Sequence, residues 1–207
     1  MNRVENNQVI IDGEISGELV FSHEVYGEKF YLADVLVRRL SGVCDAIPVM
    51  ISDRLIDVNQ NYDGQCISVS GQFRSYNRRD ADKTRLTLSA FAQELQIVEK
   101  LMDDMNQIFL DGYICREPIY RKTPLGREIA DILIAVNRSY GKSDYIPCVA
   151  WGRNARYASG FEVGSHVQIC GRIQSRKYVK KLDDDRAEER TAYEVSVSKL
   201  EVVDNEE

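Results

Sequence analysis

The sequence predicts an all-β protein built from two similar halves. Two observations lead to this prediction: the chain resembles itself at an offset of 99 residues, and each half contains short segments rich in β-branched and aromatic residues, bounded by Gly, Pro, Asn and Asp. A length of 207 residues suits one large domain or two small ones. The 43% apolar and 29% charged residues are typical of a folded globular chain.

The internal repeat starts near the N-terminus and starts again at residue 106. Residues 7–51 and 106–150 share 13 identities in 45 aligned positions, including Asn-Gln at the start and an Asp-x-Ile-Pro motif near the end. Two copies of this length are too few and too long for a solenoid. The repeat therefore predicts two domains of one fold, residues 1–101 and 104–207.

Each half is predicted to contain five strands with a short helix between the third and the fourth. The predicted strands of the second half are Ile108–Tyr113, Glu128–Asn137, Tyr145–Trp151, His166–Arg176 and Ala192–Val203. Apolar residues at helical spacing predict its helix at Arg153–Phe161, and the matching helix of the first half at Asp53–Tyr62. This element order is that of the OB-fold, a five-stranded Greek-key barrel. We therefore expect two tandem OB-folds.

The charge of the chain is distributed unevenly. The formal net charge is −6, yet residues 106–181 carry 13 basic and 6 acidic side chains. Residues 1–105 carry 11 basic and 17 acidic side chains, and residues 182–207 carry 3 and 10. A basic block of this kind favours contact with an anionic partner, in spite of the acidic total.

Several function classes are not expected from the residues present. The five cysteines are odd in number and have no C-x-x-C spacing, which argues against a disulfide framework and a zinc site. No activated nucleophile, carboxylate pair or glycine-rich phosphate loop can be named. No segment approaches the ~20 apolar residues of a membrane span, and no signal sequence opens the chain. We expect a cytoplasmic protein that is not an enzyme and has no cofactor and no metal.

The second half combines aromatic and basic side chains, which is the combination that non-specific single-strand binders use for stacking bases and contacting phosphates. The aromatic residues at predicted strand ends or outward positions are Tyr140, Tyr145, Trp151 and Tyr178. The basic residues expected to contact phosphates are Arg116, Arg121, Lys122, Arg138, Arg153, Arg172, Arg176 and Lys177. One tyrosine in a strand more often packs than stacks, but four among these cations favour a nucleic-acid interface.

Five motifs of the second half resemble those of bacterial single-stranded DNA-binding proteins. They are NQIFLDG at 106–112, RKTPLG at 121–126, IAVNRSY at 134–140, DYIPCVAWG at 144–152 and GRIQSRKY at 171–178. The resemblance covers about residues 106–203. It implies that Tyr140, Tyr145, Trp151 and Tyr178 stack bases, and that the protein coats single-stranded DNA in replication, recombination and repair.

The first half departs from this pattern. Its residues at the four stacking positions are Ser41, Ala46, Ser52 and Asn77 or Arg78. Tyr26, Tyr31 and Tyr76 could supply a different stacking platform in this half. Because residues 1–105 have a net charge of −6, we instead expect a degenerate DNA-binding face and a barrel that serves packing or partner contact.

The resemblance also bears on assembly and partners. Members of the family typically work as four OB-folds, which implies a homodimer of this chain. Replication or repair proteins stay open as partners, although the acidic end Val203–Glu207 lacks the Pro-Phe through which many members of the family recruit them. The alternative function is a replication or mobile-element accessory protein whose OB-folds mainly bind other proteins, with weak nucleic-acid contact. Both DNA and RNA stay open as ligands, since bases of either can stack.

Overall fold

The computed structural model describes residues 6–80, 83–101, 105–183 and 186–203, and within them all side chains except those of residues 77–80, 83–85, 140, 181–183 and 186. Most of this part of the chain is β-strand. Among the residues described, no helix is both long and apolar enough to cross a membrane.

The first half forms a closed five-stranded barrel. Its strands are β1 (Asn7–Val25), β2 (Glu28–Arg38), β3 (Cys44–Ser52), β4 (Cys66–Asp80) and β5 (Lys83–Val98). The long strand β1 pairs with both β2 and β4, while β5 pairs parallel to β3 and antiparallel to β4. The barrel order is therefore β1-β2-β3-β5-β4, as expected for an OB-fold.

The second half repeats this order. Its elements are β6 (Asn106–Ile114), β7 (Ile119–Lys122), β8 (Glu128–Asn137), a 3-10 helix (Ser139–Gly141), β9 (Ser143–Trp151), α1 (Arg153–Ala158), β10 (His166–Asp183) and β11 (Arg186–Val202). The barrel closes in the order β6-β8-β9-β11-β10, and β7 adds a short strand beside β8. The predicted all-β fold with OB-fold barrels is confirmed. The sequence did not predict β7. It also predicted that β10 ends at Arg176 and that β11 begins at Ala192, whereas the strands extend to Asp183 and from Arg186, so their hairpin is longer than expected.

The helix predicted at Asp53–Tyr62 is wrong: the segment forms successive turns. The Asn59 N–H donates to Asp57 Oδ1 at 3.1 Å, and the Asp63 N–H donates to Asn61 Oδ1 at 3.0 Å. Side chains that bond backbone N–H groups two residues on compete with helical hydrogen bonds. In the second half the corresponding segment, Arg153–Ala158, is the helix α1.

Alternate residues of the strands fill the two barrel interiors. The largest fully buried side chains are Ile11, Ile15, Ile47, Ile51, Ile67 and Phe73 in the first half, and Leu110, Ile114, Ile132, Ile134, Ile146 and Ile169 in the second. All five cysteines are free thiols. Bulges at Gln93 of β5 and Ser198 of β11 lie beside Gly71 of β4 and Gly171 of β10, which are equivalent points of the two halves. A Cβ at Gly71 would lie 2.0 Å from the Phe91 carbonyl oxygen, so glycine permits this close approach of β5.

The halves are joined by antiparallel pairing of β1 with β6, from Asn7 opposite Leu110 to Ile11 opposite Asn106. The Asn7 side chain donates to the Phe73 carbonyl at 2.7 Å and accepts from the Phe73 N–H at 2.8 Å. In the second half the Asn106 side chain makes the same two bonds with the backbone of Ile173: it donates to the carbonyl at 2.8 Å and accepts from the N–H at 2.9 Å. The two barrels therefore share one continuous sheet.

An ion pair of the first half also forms hydrogen bonds with a residue of the second half. Arg39 donates to the two Asp45 carboxylate oxygens at 2.5 and 2.6 Å, and to the Ser175 carbonyl at 3.1 Å. The Ser175 N–H and hydroxyl donate to Asp45 at 2.7 and 2.9 Å. Although burial opposes ionisation, Arg39 and Ser175 together hold the pKa of the Asp45 carboxyl below its ordinary value.

The same arrangement occurs with the halves exchanged. Arg138 pairs with the buried Asp144 and donates to the Ser75 carbonyl at 2.9 Å, while the Ser75 N–H donates to Asp144 at 2.5 Å. We call these two units, Arg39-Asp45-Ser175 and Arg138-Asp144-Ser75, the inter-half clamps. Their buried, mutually satisfied charges fix the relative orientation of the barrels.

Candidate nucleic-acid interface

Two of the predicted stacking residues lie on the outer face of β9. Their neighbours Ile146 and Ala150 are fully buried in the barrel interior, and side chains alternate along a strand. Tyr145 and Trp151 consequently face outward, with 47% and 40% of their surface exposed. Six residues of extended strand separate them by roughly 20 Å. The face therefore offers two well-separated rings on which bases can stack.

The backbone around each ring is held firmly. The Tyr145 N–H donates to the Ser75 hydroxyl at 2.8 Å, which links this end of β9 to an inter-half clamp. At the other end, Gly152 has a φ of 54° and donates its N–H to the Glu128 carbonyl at 3.0 Å. This sharp turn ends β9 directly after Trp151, so the indole lies at the rim of the barrel.

Arg121 lies across the strands from Trp151. It stands opposite Ile129 on β8, and Ile129 stands opposite Trp151 on β9. Its guanidinium pairs with Asp131 at 2.9 Å, and that hydrogen bond raises the pKa of Arg121. Exposed ion pairs contribute little net stability, so a phosphate can replace the carboxylate at small cost.

Tyr178 extends the candidate surface onto the long β10–β11 hairpin. It is partly buried, and the Arg176 guanidinium lies 5.8 Å from the centre of its ring. The neighbouring Lys177 forms an exposed ion pair with Glu189 at 3.0 Å. The hairpin thus presents an aromatic ring with cations beside it.

The other predicted residues differ in their surroundings. Three of the predicted cations are exposed and have no ion pair with a carboxylate among the described residues: Arg116, Lys122 and Arg153. Tyr140 belongs to the 3-10 helix, but its side chain lies outside the described residues. Arg138 is occupied by its inter-half clamp, and Arg172 lines a trough on the shared sheet with Gln8 and Phe109. The structure therefore does not bring Arg138 and Arg172 to the β9 platform as free surface cations.

One acidic residue on this face was not anticipated. Glu194 of β11 accepts a hydrogen bond from the nearly buried Gln174 of β10 at 2.8 Å. Apolar and polar residues alternate along β11 in the sequence, and this pattern could have predicted that Glu194 faces outward. A carboxylate here disfavours phosphate contact at the centre of the face, and leaves the β9 ring positions and the hairpin as the favourable part.

The corresponding positions of the first half carry no exposed ring. Ser52, which matches Trp151, is buried and donates its hydroxyl to Glu28 at 2.5 Å. Asn77 and Arg78 have side chains outside the described residues. Of the alternative tyrosines, Tyr26 lies fully exposed in the β1–β2 turn and Tyr31 packs edge-on against Phe21. Tyr76 is 40% exposed on the outer face of β4.

Comparison with known proteins shows which family this chain resembles. The model of the Single-strand binding protein family matches residues 105–203. Single-stranded DNA-binding protein B of Bacillus subtilis is 35% identical over an alignment of 80 residues; the match covers 35% of this chain and 71% of that protein. Single-stranded DNA-binding protein 2 of Listeria innocua is 37% identical over 81 residues, 36% of this chain and 51% of that protein. The match thus spans about half the length of several of these curated relatives.

A solved structure covers both halves. The wild-type single-stranded DNA binding protein from Thermus aquaticus superimposes with a TM-score of 0.77 and 20% sequence identity, over 96% of this chain and 93% of that one. This likeness extends the shared fold to the first half. Because more than two thirds of the Bacillus protein aligns at 35% identity, the resemblance predicted from the sequence motifs is confirmed. The chain belongs to the single-strand binding protein family.

Proposed function

We propose that this protein is a cytoplasmic, non-enzymatic protein that binds single-stranded DNA without sequence specificity in replication, recombination or repair. The observation that supports this most strongly is the pair of outward rings, Tyr145 and Trp151, in the basic segment 106–181. The model of the Single-strand binding protein family matches residues 105–203, which include this segment. The protein needs no cofactor or metal for this function.

The two halves divide the work. The second half, residues 104–207, stacks bases on Tyr145 and Trp151, continues over Tyr178 and Tyr140, and contacts phosphates through exposed cations. The latter are Arg116, Arg121, Lys122, Arg153, Arg176 and Lys177. The first half, residues 1–101, has no ring at the matching positions. Its contribution to affinity at those positions is small.

The single tryptophan of the chain makes this function directly measurable. Titration with oligo-dT is expected to quench Trp151 fluorescence to saturation, because a stacked base contacts the indole. Higher salt is expected to weaken binding, because phosphate contacts release counterions. The measurement is a fluorescence titration at low and moderate salt, with free N-acetyltryptophanamide as the control for absorption by the oligonucleotide.

Fluorescence anisotropy of labelled oligo-dT separates the two ways in which quenching can fail. Binding without quenching would remove Trp151 from the binding path. No binding at near-physiological salt would instead favour the alternative function, an accessory protein whose OB-folds mainly contact other proteins. The net charge of −6 and the exposed apolar residues Val20, Phe21 and Tyr26 of the β1–β2 hairpin favour that second candidate.

We further propose that two chains associate through the sheet that the halves share. Ile10 of β1 is 44% exposed at the middle of this sheet, and the partly exposed Phe109 of β6 lies diagonally across from it. Because β1 and β6 run antiparallel, this face is nearly symmetric and suits pairing with a second copy of itself. The resulting homodimer would contain four OB-folds, as the resemblance implies.

Ile10→Glu/Phe109→Glu is expected to convert this dimer into a monomer, because paired copies would bury the new carboxylates. Sedimentation equilibrium of both chains gives the masses. Ile97→Glu, an equally exposed apolar position away from the centre of the shared sheet, is the control and should leave the mass unchanged. A wild-type mass of one chain would exclude the dimer, and a dimeric double variant would exclude this interface.

A further inference from the structure

The outer face of the first barrel contains a cleft that is independent of the family stacking positions. Its volume is about 310 Å³, a size within the usual range for small ligands. The side chains that define it come from β1, β3, β4, β5 and the start of the β8–β9 connection. They include His23, Met50, Arg74, Tyr76, Ser89, Phe91 and Arg138.

Aromatic rings line much of this cleft. Tyr76 is 40% exposed at its edge. The His23 ring stacks on Phe30 with 5.0 Å between centroids, and Phe30 in turn lies 5.6 Å from Phe91. The Arg74 guanidinium covers Phe91 at 3.8 Å from the ring centre. A guanidinium this close to a ring can stack on a base with its other face.

The cleft also carries uncompensated positive charge. Arg74 donates to the Gln72 side chain at 3.0 and 3.3 Å, and no carboxylate among the described residues lies within ion-pair distance of it. Burial, and then the neighbouring positive charge of Arg138, lower the pKa of Arg74. Asp144 pairs with Arg138 and its charge also acts to raise the pKa of Arg74, so two guanidinium groups share one carboxylate and one positive charge is left over. A partly buried cation without a partner favours an anionic ligand.

The second barrel differs at the equivalent place. Counting from the bulge glycines, Gln174 replaces Arg74, and Glu194 of β11 replaces Ser89 of β5. There the amide and the carboxylate bond to each other at 2.8 Å and leave a negative charge. The cationic, aromatic cleft is therefore found in the first half and not at the equivalent positions of the second half. There the Glu194 carboxylate disfavours contact with a phosphate.

We propose that this cleft binds one nucleotide of a single strand, with the base against Tyr76, His23 and the Arg74 guanidinium, and the phosphate beside Arg74. Aromatic faces with an unpaired guanidinium fit a nucleotide better than an apolar peptide, which would leave Arg74 without a partner. The inference rests on the proposed binding of single-stranded DNA. It reverses the expectation that the first half serves only packing or partner contact, because the binding residues lie at positions other than the family's four.

A relocated tryptophan tests the cleft separately from the β9 platform. In the chain Tyr76→Trp/Trp151→Phe the only indole lies at the cleft edge. Oligo-dT is expected to quench its fluorescence with the same midpoint as the anisotropy of the labelled oligonucleotide. Adding Arg74→Gln should weaken the binding that this indole reports roughly 5- to 150-fold, the range of one stacked base. Arg54→Gln, which removes an exposed, ion-paired arginine of the same half, is the matched control and should have no such effect.

The outcomes distinguish the two proposals. If the oligonucleotide binds, as shown by anisotropy, while the indole at position 76 is silent, the cleft proposal is overturned and the β9 platform is unaffected. If wild-type protein does not bind oligo-dT at all, both fail. In the wild-type background, Arg74→Gln alone should reduce the number of nucleotides occluded per chain in the Trp151 titration. An unchanged number would also contradict the cleft.

Discussion

Asp45→Asn is expected to lower the free energy of unfolding by about 3–5 kcal/mol at pH 7, because it leaves Arg39 beside an uncharged amide in a buried site. Asp45 is 1% exposed and receives hydrogen bonds from Arg39 and from Ser175 of the other half. Its loss therefore affects both the ion pair and the contact between the barrels. Urea unfolding followed by circular dichroism measures the difference.

The effect depends on pH in a defined direction. The folded protein holds the pKa of Asp45 below its ordinary value, so this stabilisation is complete above the unfolded pKa of about 3.9 and disappears as the pH falls through the folded value. The difference between wild type and variant should accordingly persist at pH 7 and narrow below about pH 4. Asp34→Asn, at an exposed position of β2, is the matched control and should unfold like wild type. Equal stability of the Asp45 variant at pH 7 would show that this clamp does not hold the barrels.

Tyr145→Ala/Trp151→Ala is expected to reduce the affinity for oligo-dT by about 2–6 kcal/mol, since each stacked base contributes about 1–3 kcal/mol. The two rings are far enough apart that their contributions should add. Because the variant has no tryptophan, the affinity is measured by anisotropy of a labelled oligonucleotide. Each single variant should show about half of the loss, whatever the base sequence.

The control for this pair is Tyr157→Ala. Tyr157 is an exposed aromatic residue of the same half, but it lies on α1, not on β9, and its ring packs edge-on against Phe161. Its removal should leave the affinity unchanged. Equal losses in Tyr157→Ala and the double variant would indicate a general effect on the barrel, and an unchanged double variant would exclude stacking on β9.

Much of the fold could be predicted because it depends on local patterns. Alternating apolar residues predicted β8 at Glu128–Asn137, and the structure has that strand with the same ends. The failure at Asp53–Tyr62 also has a local cause, since apolar spacing suggested a helix while Asp57 and Asn61 satisfied backbone N–H groups in turns. Periodicity measures which side chains can be buried together, but it does not measure such competing hydrogen bonds.

The candidate site could be predicted only where a residue's own strand determines its exposure. Tyr145 and Trp151 follow from alternation along β9, because their direction is fixed by neighbours in the sequence. Arg138 looked equally suitable as a surface cation, yet its guanidinium is held by Asp144 and by Ser75, which is 63 residues away along the chain. Sequence reasoning could not distinguish a free arginine from one that closes a contact between barrels.

The sequence by itself determined the family, the barrel type and the outward rings of the second half, because each of these depends on residue identity at short spacing. Only the tertiary structure decided which charges remain available. It satisfied Arg138 in a clamp, set Glu194 on the outer face of the second barrel, and left Arg74 without a carboxylate in a cleft lined by residues of four strands and an inter-strand connection. The physical reason is that the electrostatic interaction of a charged side chain with a ligand depends on its burial and on the charged partners that strand pairing brings near it. Neither can be read from the order of residues along the chain.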